Sequence, residues 1–133
     1  MKKRDPYSAW LIRAEQMQDI LTLAERLNIL KPDMIRLIFR YVLFFAEQNF
    51  VSQANAGKLR GEYTRPDAKL MVWMKPEIRT ELNVALGRID TAKTESDVVR
   101  MAISYVFDFH LDQFLQHLEE DYTFRHIREP MER

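Results

Sequence analysis

The sequence has no cysteine, which excludes disulfides and thiolate metal sites. With only three glycines among 133 residues, it offers no glycine-rich phosphate loop, and neither a nucleophile elbow nor a paired general acid and base stands out. An enzyme is therefore not expected. Its most apolar segment, residues 34–45, is interrupted by Arg36 and Arg40 and falls far short of the roughly 20 residues a membrane helix needs. Charge of one sign is also lacking, since 20 basic side chains balance 20 acidic ones. The halves nevertheless differ: residues 1–66 carry 11 basic and 7 acidic groups, residues 67–133 carry 9 and 13. The front half is thus the more suited to face phosphate. The opening Lys2, Lys3 and Arg4 lead into Asp5 and Pro6 rather than an apolar run, so no secretory leader is expected, and a cytoplasmic location is.

What is present is a repeat. DMIRLIFRYVLFF at 33–45 and DVVRMAISYVFDF at 97–109 superimpose at a spacing of 64, matching Asp33 with Asp97, Arg36 with Arg100, Tyr41 with Tyr105, Val42 with Val106 and Phe45 with Phe109. Each is preceded by a second helical pattern. Residues 15–28 place Ile20, Leu23, Ala24 and Leu27 on one face, and residues 77–90 do the same with Leu82, Ala85, Leu86 and Ile89, at a spacing of 62. The two-residue drift falls in the inter-helix turns, 29–32 and 91–96, where length changes are cheap. Pro32 suits a first helical turn, and Thr94 or Ser96 can cap the helix that follows. Ahead of each pair lies a short extended run, SAWLIR at 8–13 and KLMVWMK at 69–75.

Each unit therefore reads strand, helix, turn, helix, and 47% hydrophobic with 30% charged residues suits one compact domain containing both. The expected divisions are a first unit at 8–48, a polar connecting loop at 49–68, a second unit at 69–110, and a helical extension with tail at 111–133. A lone strand leaves its backbone groups unpaired, so the expectation is a mainly α fold in which the two strands pair as a short antiparallel ribbon above the helices.

This element order, with KPEI leading from strand to helix and TESDVVRMAI opening the second helix, resembles the ribbon-helix-helix (MetJ/Arc-type) superfamily of DNA-binding proteins. Two units in one chain resemble its tandem members, the TraY-like plasmid-transfer accessory proteins. The resemblance implies a single-chain pseudo-dimer that binds double-stranded DNA as a transcriptional regulator or as a plasmid transfer or maintenance factor, with higher assembly on DNA as a further possibility. It also implies site residues. Alternate ribbon residues enter the major groove, here Ala9, Leu11 and Arg13 with Met71, Trp73 and Lys75, while Trp10, Ile12, Leu70, Val72 and Met74 enter the core. Second-helix N-termini meet phosphate, involving Lys31, Lys93, Thr94 and Ser96, with Lys2, Lys3 and Arg4 following the backbone.

Four of the six ribbon residues are apolar, which supports an alternative: a protein-interaction module, antitoxin-like or a scaffold, using the ribbon face or the C-terminal stripe Leu111, Phe114, Leu115 and Leu118 to hold a partner. Ordinary packing explains Arg36, Arg100, Tyr41 and Tyr105. His110, His117 and Asp121 share a helix face, but no further ligand completes a metal site. Neither metal nor cofactor is expected.

Overall fold

The computed structural model describes residues 7–62 and 67–121. Strand β1 (Tyr7–Arg13) runs directly into helix α1 (Ala14–Leu27), whose start is secured by the Gln16 side chain accepting the Arg13 N–H at 3.2 Å. Asn28 ends α1 in the left-handed region at φ 59°, a conformation asparagine tolerates better than most residues. Helix α2 (Lys31–Arg40) then begins with Pro32 in its first turn, where the missing N–H costs nothing.

The repeated segment does not stay α-helical. At Tyr41–Phe45 it widens into a π-helical turn, in which the Ala46 N–H reaches back five residues to the Tyr41 carbonyl at 3.0 Å. Ala46 then leaves helical geometry (φ −126°, ψ 21°) and helix α3 (Glu47–Asn55) sets off in a new direction. After the intervening loop, strand β2 (Asp67–Trp73) leads into α4 (Pro76–Arg88) and α5 (Glu95–Ser104). The same widened turn follows at Tyr105–Phe109, the same break follows at His110 (φ −134°, ψ 32°), and helix α6 (Leu111–Glu120) succeeds it.

β1 and β2 form an antiparallel ribbon with Trp10 opposite Leu70 at its centre and Arg13 opposite Asp67 at one end. Period-two alternation divides its faces. Trp10, Ile12, Leu70, Val72 and Met74 are buried, whereas Ala9, Leu11, Lys69, Met71 and Trp73 are exposed. Beneath the ribbon α2 and α5 pack against each other, and α5 is buried from Val98 to Ser104, beyond its first turn.

Several contacts recur across the repeat. Arg100 donates to the Leu11 carbonyl (2.7 Å), and Arg36 donates to the Trp73 carbonyl (2.9 Å), each arginine also pairing with the aspartate three residues before it. Likewise Tyr105 meets Phe50 edge-on at 5.7 Å between ring centres, and Tyr41 meets Phe114 at 5.4 Å. In each case the second helix of one half grips the strand of the other, and the π turn that follows it packs on the other's third helix.

Two expectations need correction. The connecting loop placed at 49–68 begins with helix α3 and ends inside β2, because Phe50 and Ala54 are buried and anchor a helix that local composition does not announce. The stripe Leu111, Phe114, Leu115 and Leu118 is not a free surface either. Phe114 and Leu118 are fully buried, and Leu111 and Leu115 pack partly buried against the chain's own core.

Candidate nucleic-acid interface

The exposed ribbon face follows from how the strands are seated. β1 is pinned along its outer edge by the start of α5, where Ser96 Oγ accepts the Leu11 N–H (3.2 Å) and Arg100 donates to the Leu11 carbonyl. Trp10 points inward and its indole N–H donates to Glu95 (3.1 Å). The outward residues are thereby fixed in register: Ala9 and Met71 sit at the centre, Leu11 and Lys69 form one flanking pair, and Trp73 lies on the other side.

Leu11, Met71 and Trp73 are 39%, 54% and 38% exposed, so the middle of the face is apolar. Trp73 is backed by the Arg36 guanidinium, 5.9 Å from its ring centre, a cation–π arrangement that steadies the indole. Cations mark the rim. Arg13 and Lys75 lie near opposite ends of the ribbon, but they are not equivalent: Arg13 is half-buried and paired with Glu15 at 3.0 Å, while Lys75 is exposed at the start of α4.

Lys69, which the sequence reading left aside, stands on this face directly across from Leu11. The signal for it was period-two alternation, which puts 69 in phase with 71 and 73.

The helix N-termini differ from each other. At α5 the Thr94 hydroxyl accepts the Asp97 N–H (3.2 Å), and the Asp97 carboxylate accepts the N–H groups of Lys93 (2.8 Å) and Thr94 (3.1 Å). With Ser96 and Glu95 holding β1, this end is committed to internal bonds and carries negative charge. At α2 no side chain caps the helix, and Lys31 is partly exposed beside it; Asp33 there is paired with Arg36 at 3.0 Å. An incoming phosphate would therefore meet less opposition at Lys31 than at Lys93, Thr94 and Ser96. Lys2, Lys3 and Arg4 lie outside the described residues.

His110 and His117 are not brought together. His110 stacks on Tyr105 (4.2 Å) and faces Gln53, whereas His117 sits against Phe45 (4.4 Å) and Asp121 (3.4 Å). Among the described residues no three His, Cys, Asp or Glu side chains are grouped to hold a metal ion, and no helix is long and apolar enough to cross a membrane.

No protein-family model, curated protein or solved structure matches this chain.

Proposed function

We propose that this chain is a tandem ribbon-helix-helix pseudo-dimer that binds duplex DNA by laying its two-stranded ribbon in the major groove. The observation that carries the reading is the ribbon itself: a seven-pair antiparallel ladder, its strand carbonyls held by Arg36 and Arg100, with one face open to solvent. A ribbon of this width fits the major groove. Lys69 and Lys75 can donate to guanine or phosphate, and Leu11, Met71 and Trp73 can meet thymine methyl groups. The uncapped start of α2 with Lys31 supplies an anchoring point for backbone phosphate. Such a protein would serve as a transcriptional regulator or as an accessory factor at a plasmid transfer or maintenance site, working as a single chain because both strands are already joined.

A second reading is favoured by one observation, the exposed apolar trio Leu11, Met71 and Trp73. In that reading the same face holds a protein partner and DNA binding is weak or lost.

Tryptophan emission distinguishes them, because Trp73 lies on the exposed face and Trp10 is buried. Titration with mixed-sequence duplex DNA should change the emission saturably. Affinity should fall on raising salt, with a slope of about −0.9 in log K for each phosphate neutralised. Lys69→Glu should weaken binding further while leaving the circular dichroism spectrum intact. Absence of binding at low salt would reject the DNA reading and leave the protein-partner one.

A further inference from the structure

The two edges of the ribbon are seated differently, and the repeat shows where. At the spacing of 64, Lys31 and Pro32 stand where the other half has Glu95 and Ser96. Glu95 and Ser96 are committed to β1, accepting the Trp10 indole N–H (3.1 Å) and the Leu11 N–H (3.2 Å). Pro32 has no side-chain oxygen to accept from β2, and Val72, the counterpart of Trp10 at the spacing of 62, has no side-chain N–H to donate. The hold that α5 has on β1 is thus missing between α2 and β2. The charge there is also reversed, a partly exposed lysine for a glutamate.

The same difference runs along the strands. At the spacing of 62, Arg13 corresponds to Lys75. Arg13 is half-buried and held by Glu15 at 3.0 Å, whereas Lys75 is exposed. β2 adds Lys69 to the outward face, while the exposed side chains described on β1 are Ala9 and Leu11. Among the described residues no carboxylate pairs with Lys31, Lys69 or Lys75. On the β1 side Lys93 is exposed, but it shares its helix start with Glu95 and Asp97. The β2 edge therefore carries unpaired positive charge, and the β1 edge a balance of signs.

A ribbon lying in the major groove turns its two edges toward the two walls, and each wall is the sugar–phosphate backbone of one DNA strand. Phosphates attract an edge with free cations and gain little from one whose charges already cancel. We propose that the protein grips duplex DNA by one strand. Lys31, Lys69 and Lys75 engage the phosphates of the strand that runs along β2, and the strand along β1 meets Ala9 and Leu11 with no salt link to its backbone. This rests on the major-groove reading and adds a direction to it, because an unequal grip orients the chain on its site where a two-fold dimer has no orientation.

Mixed-sequence duplex DNA and the full chain supply the first test. Lys31→Ala, Lys69→Ala and Lys75→Ala should each lower affinity on the order of fivefold and reduce the salt slope by about one. Lys93→Ala should change affinity by less than about twofold and leave the slope as it was. A loss at Lys93 equal to the others, or no loss at any of the four, would overturn the one-strand grip while duplex binding itself stood. No binding by the unaltered protein at low salt would instead reject the major-groove reading beneath it. A duplex enriched from a randomised pool then allows each strand to be neutralised separately with methylphosphonate linkages. Substitution along one strand should lower affinity on the order of tenfold, and the same substitution along the other should leave it within about twofold. Equal sensitivity of both strands would reject the proposal.

Discussion

Arg36 and Arg100 occupy matched positions and make matched bonds, yet their surroundings set different values on them. Arg100 is 3% exposed and donates to two backbone carbonyls as well as to Asp97, so truncating it strands several acceptors out of water. Arg36 keeps 29% of its side chain in solvent, where competing water and salt screening weaken the same bonds. Denaturant unfolding should therefore show Arg100→Ala costing about 3–5 kcal/mol and Arg36→Ala about 1 kcal/mol. The sequence displays both arginines and both aspartates as repeated letters. It does not display the carbonyls that complete their shells, because Leu11 lies 89 positions from Arg100 and only the folded ribbon brings them together.

His110 gives a pH dependence with a definite sign. Burial against Tyr105 and Gln53 holds its imidazole below the ordinary histidine value, so the unfolded chain takes up a proton that the folded one refuses. This contribution to stability is complete above the ordinary value of about 6.5 and is lost progressively as pH falls below it. Unfolding midpoints should decline between pH 7.5 and 5.5, and His110→Gln should flatten part of that decline.

At the scale of elements, the two widened turns decide the architecture. A π turn inserts an additional residue into the helical register. In both halves the chain then breaks, at Ala46 and at His110, before resuming as α3 and α6. Both strands and the four helices that follow them were legible, since period-two and period-3.6 patterns, Pro32 and the Thr94 cap are local signals. Helix α3 was not, because its sequence EQNFVSQAN is polar and amide-rich and is held by tertiary contact. Its anchor is Phe50, fully buried against Tyr105. Phe50→Ala should destabilise the protein by about 3–5 kcal/mol, with loss of helical signal in far-ultraviolet circular dichroism. The stripe on α6 was legible as a helix face, but periodicity alone does not say whether an apolar face meets the chain's own core or a partner.

For the whole molecule, the inward and outward faces of the ribbon could be written down from alternation, whereas the prominence of Lys69, the inequality of Arg13 and Lys75 and the commitment of the α5 N-terminus to β1 required three dimensions. The half-to-half contacts also have a consequence for how the chain holds together. Each strand finds its hydrogen-bonding partner and its arginine brace in the other half, and the tyrosine of each π turn packs on a phenylalanine of the other half's third helix. The peptide link across residues 63–66 is then needed to keep the halves at high effective concentration, but not to shape them. Two fragments, residues 1–62 and 67–133, should each be unfolded alone and should recover the circular dichroism of the intact protein when mixed, with a midpoint that rises with fragment concentration. Failure of the mixture to refold would show that the connection itself organises the structure. Success would make the chain a split protein, whose reassembly could report on the proximity of whatever is fused to either half.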